Sequence, residues 1–181
     1  MKIVRKAFDG VFVLEPEIYT DNRGFFYEFY NKKTFAEVTG LDVDFVQDNL
    51  AKSAYGVLRG MHFQRPPYEQ AKLVSVIKGE IFDVVVDIRP HSPTFKQWFS
   101  VVLNDRNRYQ LYIPKGFAHG YLSLEPETYV FYKTDAFYRK DYDAGFRFND
   151  PETGIEWPEI DGTYIISEKD RHLPFLKELF T

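Results

Sequence analysis

The stretch "GVLRGMHFQRPP", residues 56–67, sets a single histidine, His62, inside an apolar, strand-like run that follows a glycine turn. Arg59 precedes it by three residues, and no second histidine stands beside it. Three roles compete for such an imidazole. It can be a core residue with its hydrogen bonds met, one ligand of a metal site, or a general base at the mouth of a pocket. Free imidazole titrates near pH ~6.5, so at neutral pH most of it is able to accept a proton. Neither G-x-G-x-x-G nor G-x-x-x-x-G-K-[ST] occurs in the chain. A bound nucleotide must therefore be held by side chains rather than by a glycine loop.

His119 is the other histidine in a strand-rich context, whereas His91 and His172 sit in polar stretches. Gly56, His62 and Glu69, followed by Pro114, Gly116 and His119 in "PKGFAH", trace the outline of the metal-binding jelly-roll motif, G-x5-H-x-H-x3-4-E and then P-x-G-x2-H. Gln64 stands where that motif has its second histidine. Two imidazoles and one carboxylate make a poor divalent site. The expectation is no metal and no other cofactor.

The elements that must position these groups read as β structure. Aromatic residues are 18% of the 181-residue chain, with 18 Phe and 13 Tyr, a bias toward half-buried pleated surfaces. Short runs rich in Val, Ile, Phe and Tyr recur between turn residues. In "EIFDVVVDI", Phe82, Val84, Val86 and Ile88 alternate with Ile81, Asp83, Val85 and Asp87. The "IKGE" and "LNDRNR" segments read as hairpin turns. Two stretches read as helical. "NKKTFAEVTG" carries a capping-box pattern at Thr34 and Glu37 with Gly40 as a stop, and the tail has a short helical run around Pro174 to Phe180. Many strands with few helices predict an all-β fold, best described as a jelly-roll barrel, forming one domain over residues 1–181.

Composition narrows the partners. Net charge is −4, which gives no bulk attraction to nucleic acid. The absence of cysteine removes disulfides and thiolate metal sites and suits a reducing compartment. "KIVRKAFDG" lacks the apolar core of a signal peptide, and no apolar run approaches the ~20 residues of a membrane helix. A cytoplasmic protein that does not meet the membrane is expected.

The segments "DNRGFFYEF", "FVQDN", "GVLRGMHFQ", "AKLVSVIKGEIFDVVVDIR", "SPTF", "IPKGFAHGY", "DPETGIEWP" and "SEKD" resemble, in order, the blocks of the dTDP-4-dehydrorhamnose 3,5-epimerases, a cupin-like family. The resemblance runs from about Asp9 to Asp170. It implies a thymidine-diphosphate 4-keto-6-deoxyhexose as substrate, with inversion at the two carbons flanking the ketone and no cofactor. It assigns His62 as the base, Asp170 in "SEKD" as the carboxylate behind it, Lys72 in "QAKLV" as the cation beside the keto oxygen, and Tyr132 in "YVFYKT" as the proton donor on the opposite face. Arg23 and Arg59 match diphosphate contacts, a task suited to guanidinium forks. Gln47 and Asn49 match neutral contacts near the nucleotide, and Phe26 and Glu28 belong to the same N-terminal block as Arg23. Tyr138 resembles the residue stacked on thymine. His119 and Asp143 match further substrate contacts, although His119 reads equally as a remnant of the metal-binding scaffold. The resemblance also implies a homodimer that exchanges N-terminal strands, so that Arg23 and Glu28 reach the neighbour's site.

Ala51 and Met61 stand where the family often has serine and leucine. Three other readings stay open on sequence: inversion of one carbon only, a metal-dependent cupin, and a sugar-binding cupin without activity.

Overall fold

Along the run Glu80–Asp87, side chains alternate between two buried faces. Ile81 and Val85 enter one apolar cluster, while Val84 and Val86 enter another beneath the C-terminal segment with Phe146 and Leu176. Two-sided burial makes this run the structural centre of the chain. The computed structural model describes residues 1–180.

In chain order the strands are β1 (Lys2–Ala7), β2 (Val11–Glu15), β3 (Tyr19–Asp21) and β4 (Gly24–Phe26), followed by helix α1 (Lys32–Thr39). Next come β5 (Gln47–Ser53), β6 (Leu58–Gln64), β7 (Lys72–Lys78), β8 (Glu80–Asp87) and β9 (Trp98–Asn104). The last are β10 (Gln110–Ile113), β11 (Phe117–Ser123), β12 (Thr128–Thr134), β13 (Asp143–Gly145) and the short helix α2 (Glu168–Arg171). One antiparallel sheet has the order β1-β2-β10-β7-β12-β5, and a second has β13-β6-β11-β8-β9. They enclose a core that includes Val74, Val76, Val85, Val101, Leu103, Leu111, Ile113 and Val130. This is the expected jelly roll. Strands β3 and β4 form a separate hairpin.

Both expected hairpin turns are instead crossings between sheets. β7 bonds β10 and β12, whereas β8 bonds β11 and β9, so "IKGE" carries the chain from one sheet to the other. Gly79 at this corner has φ +84°, and a Cβ there would lie 2.6 Å from Thr128 Oγ1; only glycine fits. "LNDRNR" likewise leads from β9 in the second sheet to β10 in the first. The Asn104 side chain accepts from the backbone N–H groups of Arg106 and Asn107 at 3.0 and 2.7 Å, which closes the corner without strand pairing.

The helix cap also differs from expectation. Asn31, not Thr34, is the N-cap of α1, its side chain accepting the Thr34 N–H at 3.2 Å. The Thr34–Glu37 pattern falls inside the helix. Gly40 ends α1 in the left-handed conformation, as anticipated. In the tail, residues Leu176–Leu179 form a 3-10 turn, and α2 was not anticipated.

The C-terminal segment is stapled to the second sheet. Leu58 N–H donates to the Ile165 carbonyl at 3.0 Å, Arg147 N–H to the Pro174 carbonyl at 3.0 Å, and Leu176 N–H to Asp150 Oδ2 at 2.7 Å. Truncating a fully buried anchor such as Leu176 to alanine costs ~2–5 kcal/mol in comparable cores. That anchoring holds α2 behind β6.

Candidate active site

A cavity of about 280 Å³ opens between the two sheets. One wall is a set of cross-strand rows from the first sheet. Tyr132 on β12 pairs with Asn49 on β5 and Val74 on β7, and Thr134 pairs with Gln47 and Lys72. Paired residues share a face, so Gln47, Asn49, Ala51 and Ser53 line up beside Tyr132 and Lys72. The opposite wall comes from β6 and β11.

The pairing of β6 with β11 carries a bulge. His119 pairs with His62 and Tyr121 with Arg59, so two residues of β6, Gly60 and Met61, oppose Gly120 alone. In a regular strand, residues three apart point to opposite faces. The bulge turns Arg59 and His62 to the same one, and both line the cavity. The close approach depends on glycine. A Cβ on Gly60 would come within 2.6 Å of Gly120 Cα, and one on Gly120 within 2.6 Å of Met61 Sδ.

His62 is backed by Asp170, with Nε2 3.1 Å from Oδ1. The second carboxylate oxygen accepts the Gly60 N–H at 3.1 Å. Burial pushes the Asp170 carboxyl up, but the hydrogen bond and charge of His62, the Gly60 N–H and the Ser167 hydroxyl together hold it below its ordinary value. An ionised Asp170 orients the ring and favours its protonated form. Nδ1 is buried without a partner among the described residues.

Facing this pair, the Lys72 side chain makes no hydrogen bond or ion pair among the described residues, and Asp83 and Asp143 act on it only at a distance through their charge. Burial lowers its ammonium to about 8, against the pull of those two carboxylates. At pH 7 it remains mainly charged. Tyr132 is pushed up by burial, with Arg59 acting against the shift and Asp143 adding to it. Its phenol stays protonated at neutral pH.

A second imidazole–carboxylate pair lies deeper, His119 Nε2 standing 2.5 Å from Asp83 Oδ1. At the mouth, Tyr138 donates to Asp143 Oδ2 at 3.1 Å and Lys169 pairs with the same carboxylate at 2.5 Å. Gln47 joins this rim, donating to Asn49 Oδ1 at 2.9 Å and accepting the Tyr138 N–H at 3.0 Å.

The site residues expected from sequence therefore divide. His62, Lys72, Tyr132, Arg59, His119, Tyr138 and Asp143 line the cavity, Asp170 stands behind His62, and Gln47 and Asn49 adjoin the rim. Arg23 and Phe26 lie on the β3–β4 hairpin, outside the cavity lining. The Arg23 guanidinium is turned onto Asp21 at 2.5 Å, and Glu28 accepts from Asn31 at 2.8 Å. Asp83, Tyr121 and Lys169 were not singled out from sequence. Asp83 had a visible signal, being a carboxylate on the same strand face as Ile81 and Val85.

The donor set does not suit a metal ion. His62 and His119 each face a carboxylate through Nε2. Gln64 is committed to backbone, donating to the Tyr68 carbonyl at 2.6 Å and accepting the Arg139 N–H at 2.5 Å. Among the described residues no three His, Cys, Asp or Glu side chains converge.

The cupin-like jelly roll carries a carboxylate-backed imidazole on one wall of its cavity and an ammonium and a phenol on the other, and comparison with known proteins places the chain among the dTDP-sugar isomerases. The family profile for dTDP-4-dehydrorhamnose 3,5-epimerase matches residues 5–178. The chain belongs to that family. It is 50% identical to the dTDP-4-dehydrorhamnose 3,5-epimerase of Methanothermobacter thermautotrophicus over 98% of this chain and 95% of the relative. It superimposes on the Bacillus anthracis enzyme, crystallised with TDP and PPi, with TM-score 0.92 at 47% identity, covering 96% and 98% of the two chains. The dTDP-6-deoxy-D-glucose-3,5-epimerase of Legionella pneumophila, in complex with dTDP-4-keto-L-rhamnose, gives TM-score 0.93 at 43% identity, covering 97% and 93%.

Proposed function

We propose that this chain inverts C3 and C5 of dTDP-4-dehydro-6-deoxyglucose, giving dTDP-4-dehydrorhamnose, with His62 as base and Tyr132 as acid. The single observation that carries the residue roles is the opposition of His62 and Tyr132 across the cavity, with Lys72 beside the phenol's wall. The substrate follows from family membership. The cavity volume suits a hexose ring, so the nucleotide runs outward past the rim formed by Tyr138 and β5.

His62 takes the proton from the carbon next to the ketone, and the C–H electron pair moves onto the C4 oxygen as an enolate. The Lys72 ammonium offsets that charge, a contribution comparable to one oxyanion donor, ~3 kcal/mol. Tyr132 delivers its proton to the opposite face of the same carbon while the enolate electrons return. His62 then holds one proton more and Tyr132 one fewer, and exchange with solvent resets both. Asp170 stabilises the imidazolium between these events. Arg59, with Arg23 from a partner subunit, binds the diphosphate. Phe26 and Glu28 arrive on the same exchanged arm, and Tyr138 meets the thymine. The working unit is a homodimer of single-domain protomers, placed in the cytoplasm, where a chain without cysteine suits the reducing conditions. No helix among the described residues is long and apolar enough to cross a membrane.

Incubation with dTDP-4-dehydro-6-deoxyglucose in deuterated water, followed by NMR, tests the reading. Deuterium at both C3 and C5 of a rhamno-configured product is expected. Label at one carbon alone would reduce the function to single-carbon epimerisation.

A further inference from the structure

Arg59 does not stand alone at the cavity wall. Its Nε–H donates to Ser53 Oγ at 3.2 Å, and one N–H of Nη2 donates to the Lys52 carbonyl at 3.2 Å. Ser53 Oγ in turn lies 3.0 Å from the Tyr121 hydroxyl. Ser53 and Tyr121 are 2% and 4% exposed, whereas Arg59 is exposed. Ser53 ends β5 in one sheet and Tyr121 lies on β11 in the other, so this hydroxyl pair bridges the two walls beside the cavity.

The chemistry of the contact is directional. Both bonds that Arg59 makes use the inner side of the guanidinium, which leaves both N–H groups of Nη1 and the second N–H of Nη2 without protein partners among the described residues. A planar fork with its inner edge pinned and its outer edge open is arranged for bidentate contact with phosphate oxygens. Tyr121 pairs with Arg59 across the β6–β11 ladder, so the same tyrosine fixes both the strand position and, through Ser53, the side-chain direction. A free arginine must lose its rotamer freedom on binding, and ordering it beforehand removes that loss.

We propose that the buried Ser53–Tyr121 hydroxyl pair positions Arg59 for the substrate diphosphate, so that these two residues set substrate affinity through Arg59 and are positioning residues for the reaction. The inference rests on the reading of Arg59 as a diphosphate contact.

Tyr121→Phe keeps the ring and removes only the hydroxyl. KM for the nucleotide sugar should rise roughly tenfold, with kcat within about twofold and the Kd of thymidine diphosphate rising in parallel. Ser53→Ala should give the same split, and it carries the test if Tyr121→Phe fails to fold. In an Arg59→Ala background either change should add less than about twofold, because the group they act through is gone. Losses that multiply fully in that background overturn the proposal, as does a fall in kcat at unchanged KM. An Arg59→Ala variant with unchanged thymidine diphosphate affinity overturns it through its premise. That result tells against Arg59 as a diphosphate contact, whereas multiplying losses tell against the hydroxyl pair alone.

Discussion

Asp170 reaches His62 from outside the sheet that carries it, with Oδ1 3.1 Å from Nε2 and Oδ2 3.1 Å from the Gly60 N–H on the same strand. One carboxylate thus grips both the imidazole and the bulge that aims it. Asp170 is carried on α2, a four-residue helix whose Ser167 cap accepts the Asp170 N–H at 3.1 Å. This imidazole–carboxylate pair is therefore assembled from residues more than a hundred positions apart in sequence.

Asp170→Asn should retain thymidine diphosphate binding and lose most turnover. An amide cannot offset the imidazolium charge, and it can present either its oxygen or its nitrogen to the ring. A fall of roughly 10²–10⁴ in kcat is expected, within the range for a positioned acid–base group. Steady-state kinetics alongside nucleotide titration check it. Turnover within a few-fold of the parent protein would remove Asp170 from the mechanism. The depressed Asp170 pKa also has a sign. Its stabilising contribution is present above the ordinary value of 3.8 and is lost as pH falls through the lower folded value, so the parent's stability advantage over Asp170→Asn should shrink on acidification.

Lys72 ties activity and stability to alkaline pH in opposite senses. Burial brings its ammonium down to about 8 from 10.5. Above that folded value the cation proposed to meet the enolate is lost, so kcat/KM should fall along an alkaline limb near pH 8. In Lys72→Arg the limb should move up by at least about one unit, since a guanidinium stays charged to pH ~12. Stability runs the other way. Between about 8 and 10.5 the unfolded chain binds more protons at this site than the folded one, and folding is favoured as pH rises through that window. Denaturation of Lys72→Met should therefore show an advantage over the parent at pH 7 that narrows by pH 10. A pH-independent difference would place the burial cost elsewhere.

The jelly roll was legible because alternation and aromatic content report buried pleated faces directly. The corners were not. Gly79 and Asn104 offer the same turn chemistry whether the chain folds back on its own strand or crosses to the facing sheet, and pairing partners are decided by long-range packing. Of the site, His62, Lys72, Tyr132 and Asp170 were reached through resemblance to a family rather than from local pattern. Tyr132 by itself reads as one more aromatic in a strand. The convergence of Arg59 and His62 on one face could not be read at all, because period-two alternation separates them and only the Gly60–Met61 bulge against Gly120 reunites them. Lys169 carries no signal in the sequence, because it neighbours Asp170 on a helix too short to show a period.

Activity should withstand exhaustive chelation. Gln64 is held by two backbone carbonyls and one backbone N–H, so it is not poised to replace a histidine ligand. Dialysis against a strong chelator, followed by metal analysis and assay, is the measurement. Loss of turnover restored by one stoichiometric divalent ion would defeat the metal-free reading of His62.

The β3–β4 hairpin should be an assembly element. Its Phe25 and Phe26 are 57% and 67% exposed, and among the described residues the two short strands pair only with each other. An exposed aromatic strand edge invites pairing with a second chain. Burying one phenylalanine contributes ~1.5–3 kcal/mol, so Phe26→Glu should weaken a homodimer at least about tenfold and lower activity with it. Light scattering at assay concentration decides: a fully active parent monomer would contradict both the dimer and the delivery of Arg23 to a neighbouring cavity.

Tyr132→Phe separates the two halves of the reaction. In the proposed mechanism the first half, removal of a proton by His62, needs the Asp170-backed imidazole and the Lys72 charge, and neither is touched by loss of the phenol hydroxyl. The second half, return of a proton to the opposite face, needs a donor on the β12 wall. Without it, the enolate can still recover a proton from His62 on the original face, which regenerates substrate carrying solvent hydrogen. In deuterated water the variant should therefore wash deuterium into the substrate with retained configuration, while rhamno-configured product falls by roughly 10²–10⁴. A purely packing role for Tyr132 makes a different pattern. Its ring adjoins the core cluster containing Val74 and Val130, and loosening that cluster would depress exchange and inversion together. Time courses of deuterium content and of product, taken from one NMR sample, distinguish the two. Parallel loss of both signals, with thymidine diphosphate affinity intact, would return Tyr132 to the core and require another donor on the same wall.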